Sequence, residues 1–175
     1  MAIGMGTNMT TSTNTTFDKD AFAEYIRRNV SKKEFGEGYC AKHVRLALFA
    51  AGRKLNNWPV SAKDWGGSLL ALSFDLVPQV AYGPQKGDIA VVQPANGDDK
   101  HGHMQGYDGK NWVSDFVQRD FWPGPTFRAN KPAYVIYRYG AVLEKIPSNQ
   151  KSTVQRGPDD LIRSRLLSPR TRVRA

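Results

Sequence analysis

Cysteine is nearly absent from this sequence: Cys40 is the only one in 175 residues. A lone thiol excludes an intramolecular disulfide framework and any multi-cysteine zinc or iron–sulfur site. It leaves two readings, a buried structural thiol or a nucleophile. Long apolar runs are missing too. None approaches the roughly 18 residues of a membrane span, so no such span is expected. The N-terminus has no basic segment leading into an apolar stretch, so no ordinary secretory signal is expected either. Histidine is also sparse, with only three: His43, His101 and His103.

Acidic side chains are in the minority, 16 against 25 Lys and Arg, for a net charge of +9. Such an excess suits solubility or an anionic partner such as nucleic acid, a membrane surface or a cell-wall polymer. The excess is uneven. Residues 142–175 carry eight basic side chains and three acidic ones, net +5. The body is therefore only mildly basic, which argues against a dedicated nucleic-acid surface. Residues 1–16, rich in Thr, Asn and Gly, read as a flexible arm. Residues 142–175 read as a loose basic tail, and 17–141 as a single domain.

Within 17–141 the pattern changes once. Asp18 is placed to cap a helix carrying Ala21, Phe22, Tyr25 and Ile26. In "EGYCAKHVRLALFAAG", residues 37–52, Cys40, Val44, Ala47, Leu48 and Ala51 share one helical face, and Gly52 supplies the stop. Ser61 is a candidate cap for a short helix through Trp65, Leu69 and Leu72. Strand signals follow: the β-branched run "GDIAVVQ" (87–93), "HGHMQGYDGKNWVSDF" (101–116) turning at Asp108-Gly109, and "AYVIYRYG" (133–140). Helices before strands predict an α+β fold with an antiparallel sheet.

Cys40 opens its helix, where the macrodipole and free N–H groups favour a thiolate. A cysteine nucleophile needs a base. His43 lies one turn along the helix and reads chiefly as a packing residue. His101 and His103 read as two residues on one strand face, with His103 the deeper. A hairpin turning at Gly109 would set His103 opposite Asp115, a carboxylate able to orient the imidazole, and a one-residue slip would offer Ser114 instead. A metal reading stays open, with His101-x-His103 and Asp98, Asp99 or Asp115 as zinc ligands.

The order "GYCAKHVRLALFAAG", "GDIAVVQ", "GHMQGYDGKNWVSDF" resembles the papain-like NlpC/P60 and CHAP cell-wall hydrolases. "C-A-x-x-V-R-x-A" and "W-V-S-D-F-x-Q-x-D" followed by "P-G-P" are most similar to the amidase effectors of bacterial type VI secretion. The resemblance spans roughly residues 18–140. It implies a papain-like fold with Cys40 as nucleophile, His103 as general base and Asp115 as its orienter, and no cofactor or metal. Trp65, Gln93 and Trp112 are candidates to line the substrate groove. The implied activity is cleavage of an amide bond in peptidoglycan stem peptides or cross-links, with the D-Ala–diaminopimelate bond favoured. The implied partners are peptidoglycan, a cognate immunity protein and a component of the secretion apparatus. The implied place of action is the periplasm of a target cell. A phage-type lysin with the same chemistry and a non-catalytic wall-binding module are the alternatives.

Overall fold

A computed structural model describes residues 16–95 and 99–141. The expected arm, tail and Asp98 lie outside the described residues. Helix α1 (Lys19–Arg28) begins where Asp18 accepts hydrogen bonds from the backbone N–H of Asp20 and Ala21. Its buried stripe, Phe22 and Ile26, packs beside α2 (Cys40–Ala50), which buries Val44, Ala47 and Leu48. Gly52 follows α2 in the left-handed region. Ser61 stands at the head of a 3-10 turn, Ala62–Asp64, but its hydroxyl makes no cap bond and meets His101 Nδ1 instead. Helix α3 (Gly66–Ala71) then buries Leu69, while Trp65 and Leu72 join the same core.

Five strands form one antiparallel sheet: β1 (Phe74–Val77), β2 (Ile89–Val92), β3 (His103–Tyr107), β4 (Trp112–Val113) and β5 (Tyr134–Tyr139). Their spatial order is β1-β5-β2-β3-β4. Every residue of central β2 is buried, as its continuous β-branched run implies. Ile89 and Val91 face the helical core, whereas Ala90 and Val92 face a second layer with Trp112 and Ile136. Phe121, Trp122, Phe127 and Tyr134 cover that second layer. A short α4 (Pro125–Asn130) precedes β5. Helices before strands and an antiparallel sheet agree with the α+β expectation.

The hairpin register departs from the sequence reading by one residue. Gly106 pairs Val113 and Tyr107 pairs Trp112, so the ladder stops well short of His103. The chain folds back immediately after β4: Ser114 N–H bonds the Phe116 carbonyl, Gln118 N–H bonds the Trp112 carbonyl, and Val113 bridges Val117. This tight reversal, rather than a long ladder, delivers Asp115 and Gln118 to the region of His103. Among the described residues, no helix is long and apolar enough to cross a membrane.

Candidate active site

A cleft of about 830 Å³ opens where the first turn of α2 meets the start of β3. Cys40, His103 and Asp115 all line it. The backbone N–H groups of Met104, the residue after His103, and of Ala41 both act to stabilise negative charge on the Cys40 sulfur. Since β4 ends opposite Gly106, the outer edge of β3 is uncovered at this height. The short β4 thus leaves room for the α2 terminus.

Two aspartates fix the loops that lead into the two residues. Asp115 Oδ2 accepts from the backbone N–H of Glu37 at 2.7 Å and Tyr39 at 3.0 Å, while its carbonyl accepts from Ser31 at 2.7 Å. The segment before Cys40 is thereby pinned. Gly36 makes the approach possible: at φ +68° a Cβ there would stand 2.6 Å from the Asp115 carboxyl. On the other side, Asp99 accepts from the N–H groups of Ala95, His101 and Gly102, holding the entry to His103. Gly102 has φ +66°, and a Cβ on it would meet the Val92 carbonyl at 2.3 Å. That left-handed residue also breaks the strand alternation. His101 therefore does not share a strand face with His103. It is exposed, on the cleft rim, against Ser61.

The imidazole of His103 is buried, with the rings of Phe116 and Phe127 about 6 Å away. Its Nε2 meets the side-chain amide of Gln118 at 2.9 Å. The Asp115 carboxylate acts on His103 through space, while its hydrogen bonds go to the loop. Orientation by a carboxylate directly across a ladder, as the hairpin spacing suggested, is thus not the geometry found.

Burial dominates the electrostatics. It pushes the Cys40 thiol up to about 11; the Met104 and Ala41 N–H groups oppose it, while Asp115 and Asp99 add to it. The helix terminus therefore does not make Cys40 a standing thiolate. Burial likewise pushes His103 down to about 4, against the smaller opposing pull of Asp115 and Asp99. Each shift favours the uncharged form of its own side chain at neutral pH.

His43 is buried in the helical layer, where Nε2 bonds the Ile26 carbonyl at 2.8 Å. It ties α2 to α1, as a packing residue should. The expected groove residues lie elsewhere. Trp65 is buried in the helical core, and Trp112 in the aromatic layer across the sheet. Gln93 is half-buried beyond the end of β2, its N–H bonded to the Ala133 carbonyl. Aromatic residues in a small domain go first to the core, and both tryptophans follow that rule. The walls of the cleft are instead Phe35, Tyr39, Val60, Phe116 and Phe127. Phe35, Tyr39 and Val60 are largely exposed and were not marked by any periodicity. Among the described residues, no three His, Cys, Asp or Glu side chains are grouped to hold a metal.

No protein-family model matches the chain, and no curated protein does so significantly. Solved structures do. A type VI effector–immunity complex, Tae3-Tai3 from Ralstonia pickettii, contains a chain 43% identical to this one, with a TM-score of 0.64. The match covers 70% of this chain and 99% of that chain. The chain belongs to the Tae3 family of type VI effectors. The selenomethionine form of the same complex gives 43% identity and a TM-score of 0.60, covering 67% of this chain and 98% of the other. Membership accords with the sequence resemblance to type VI effectors, carried by the segments around Cys40 and Asp115. Gln118 and Asp99 had a readable signal: the first is the Q of "W-V-S-D-F-x-Q-x-D", and the second is an aspartate three residues before Gly102-His103, suited to an Asx turn.

Proposed function

We propose that this Tae3-family chain is a peptidoglycan amidase that uses Cys40 as nucleophile and His103 as general base. The observation that carries the reading is that Cys40, at the start of α2, and His103, at the start of β3, line the same cleft. A cysteine at a helix start, packed on an antiparallel sheet whose strand β3 opens with histidine, also supports a papain-like NlpC/P60 architecture.

The neutral resting pair dictates the order of steps. Cys40 Sγ loses its proton to His103 as it attacks the scissile carbonyl carbon, so thiolate and imidazolium arise together rather than singly in a buried site. The backbone N–H of Cys40, in the first turn of α2, is the proposed donor to the tetrahedral oxyanion. His103 then gives its proton to the departing amine, leaving a thioester on Cys40. Water, deprotonated by His103, hydrolyses the thioester and restores the thiol. Asp115 and Asp99 hold the two loops and favour the imidazolium through space.

The favoured bond is the D-Ala–diaminopimelate cross-link. The effector acts in the periplasm of a target cell, reached through the type VI apparatus, and a cognate immunity protein covers the Cys40 cleft. Membership of the Tae3 family favours this delivery over that of a phage lysin. Purified sacculi digested with the wild type and with Cys40→Ala, then analysed by mass spectrometry, test the proposal. Loss of cross-linked muropeptides with the wild type alone is expected. Equal digestion by Cys40→Ala would sink the cysteine mechanism, and a different product would reassign the bond.

A further inference from the structure

We propose that Gln118 is the positioning residue for His103, fixing the imidazole in its Nε2–H tautomer so that Nδ1 is the proton acceptor. The inference rests on His103 being the base. One end of the Gln118 amide is surrounded by three oxygens: Gln105 Oε1 at 2.9 Å and the Asp120 and Phe121 carbonyls at 3.2 Å. Oxygens cannot donate, so that end is the NH₂ group, and Oε1 is left facing His103 Nε2 at 2.9 Å. An amide oxygen accepts only. The proton therefore resides on Nε2, and Nδ1 keeps its lone pair.

The amide is itself held. Gln118 is 2% exposed and Gln105 fully buried, and Gln105 Nε2 donates to the Phe121 carbonyl at 2.9 Å. Gln105 is two residues beyond His103 on β3, on the same strand face. The result is a neutral chain from His103 through two glutamine amides to a backbone carbonyl. Gln105 holds the Gln118 amide, and Gln118 alone reaches the imidazole nitrogen. Asp115, the carboxylate the sequence offered for this task, commits its Oδ2 to the N–H groups of Glu37 and Tyr39. An amide orients the ring without adding a charge, so the imidazole stays neutral with its Nδ1 lone pair free.

The charged or titratable groups facing His103 are Cys40 from α2, Asp115 from the turn after β4, and Asp99 from the loop before β3. Full-length Gln118→Leu and Gln118→Glu separate their effects from that of Gln118. Gln118→Leu should lower kcat on the order of 100-fold with KM unchanged, because a misaligned base costs about that much. Nitrogen-15 NMR of the His103 ring should show one tautomer in the wild type and a mixture in Gln118→Leu. Gln118→Glu puts a carboxylate on Nε2 and should move the acid limb of kcat/KM up by about 1–3 pH units. Wild-type kcat and a single tautomer in Gln118→Leu would overturn the proposal. If Gln118→Leu does not fold, an unmoved acid limb in near-isosteric Gln118→Glu would overturn it just as well. The tautomer is read without turnover. Should His103→Ala retain activity, the base assignment falls on its own, whatever the Gln118 variants show.

Discussion

Burial favours a thiol at Cys40 and a neutral imidazole at His103, and this bears on the pH behaviour of the site. A histidine base works above its own pKa. With His103 pushed down to about 4, the acid limb of kcat/KM should fall well below the usual histidine range near 6.5. A pH–rate profile on muropeptides checks this, and a limb near 6.5 would contradict it. Free thiol reactivity has the opposite signature. Alkylation of Cys40 by iodoacetamide should climb through the alkaline range towards the thiol's raised value of about 11. Asp115 raises both groups, so Asp115→Asn should move both midpoints down together. Movement of the acid limb alone would mean that Asp115 acts on His103 only. Cys40 and His103 were legible as candidates because residue type and element ends mark them, and the structure brings both to one cleft. Asp115 was legible as a site residue but not as a loop clamp. Its bonds depend on a reversal at Ser114–Gln118 that no local pattern announces.

At the scale of elements, local periodicity identified α1, α2, β2 and β5. It missed β1, a four-residue edge strand whose Leu76 points to solvent and whose partner β5 lies some sixty residues later. Such a strand exists because β5 offers it an open edge, not because "FDLV" insists on extension. The hairpin was found and its register misjudged by one, since turn residues at 108–111 fix the pairing more finely than a midpoint does. Two substitutions probe how these elements serve the site. Gly102→Ala forces a Cβ into the Val92 carbonyl from a left-handed backbone. A loss of about 1–2 kcal/mol follows from the conformation alone, with more from the clash. Activity should fall further than thermal stability, because His103 is the next residue. A variant that loses stability alone would mean that the β3 entry does not set His103. His43→Ala should do the reverse. It removes a buried tie to the Ile26 carbonyl, at a cost of about 1–3 kcal/mol. Protein still folded should keep wild-type turnover. If His43→Ala folds fully but is inactive, while His103→Ala is active, the two histidines have exchanged roles.

At the scale of the whole molecule, the pattern that organised the site is distinct from the pattern that sets the charge. The cleft is lined mainly by apolar side chains, with Asp99 and Asp115 both engaged by backbone N–H groups. The positive excess is concentrated instead in residues 142–175, net +5 of the chain's +9. Charge of this kind raises local encounter with an anionic surface without touching the chemical step. It is screened over about 8–10 Å at ordinary ionic strength. Replacing Arg163, Arg165, Arg170, Arg172 and Arg174 by Gln in the full chain lowers the net charge from +9 to +4. The rate on intact sacculi at low salt should drop, and its dependence on ionic strength should flatten. The rate on a small soluble muropeptide should not change, because that substrate meets Cys40 and His103 directly. Equal losses on both substrates would place the tail's arginines in the catalytic step. No loss on either would reduce the charge excess to solubility.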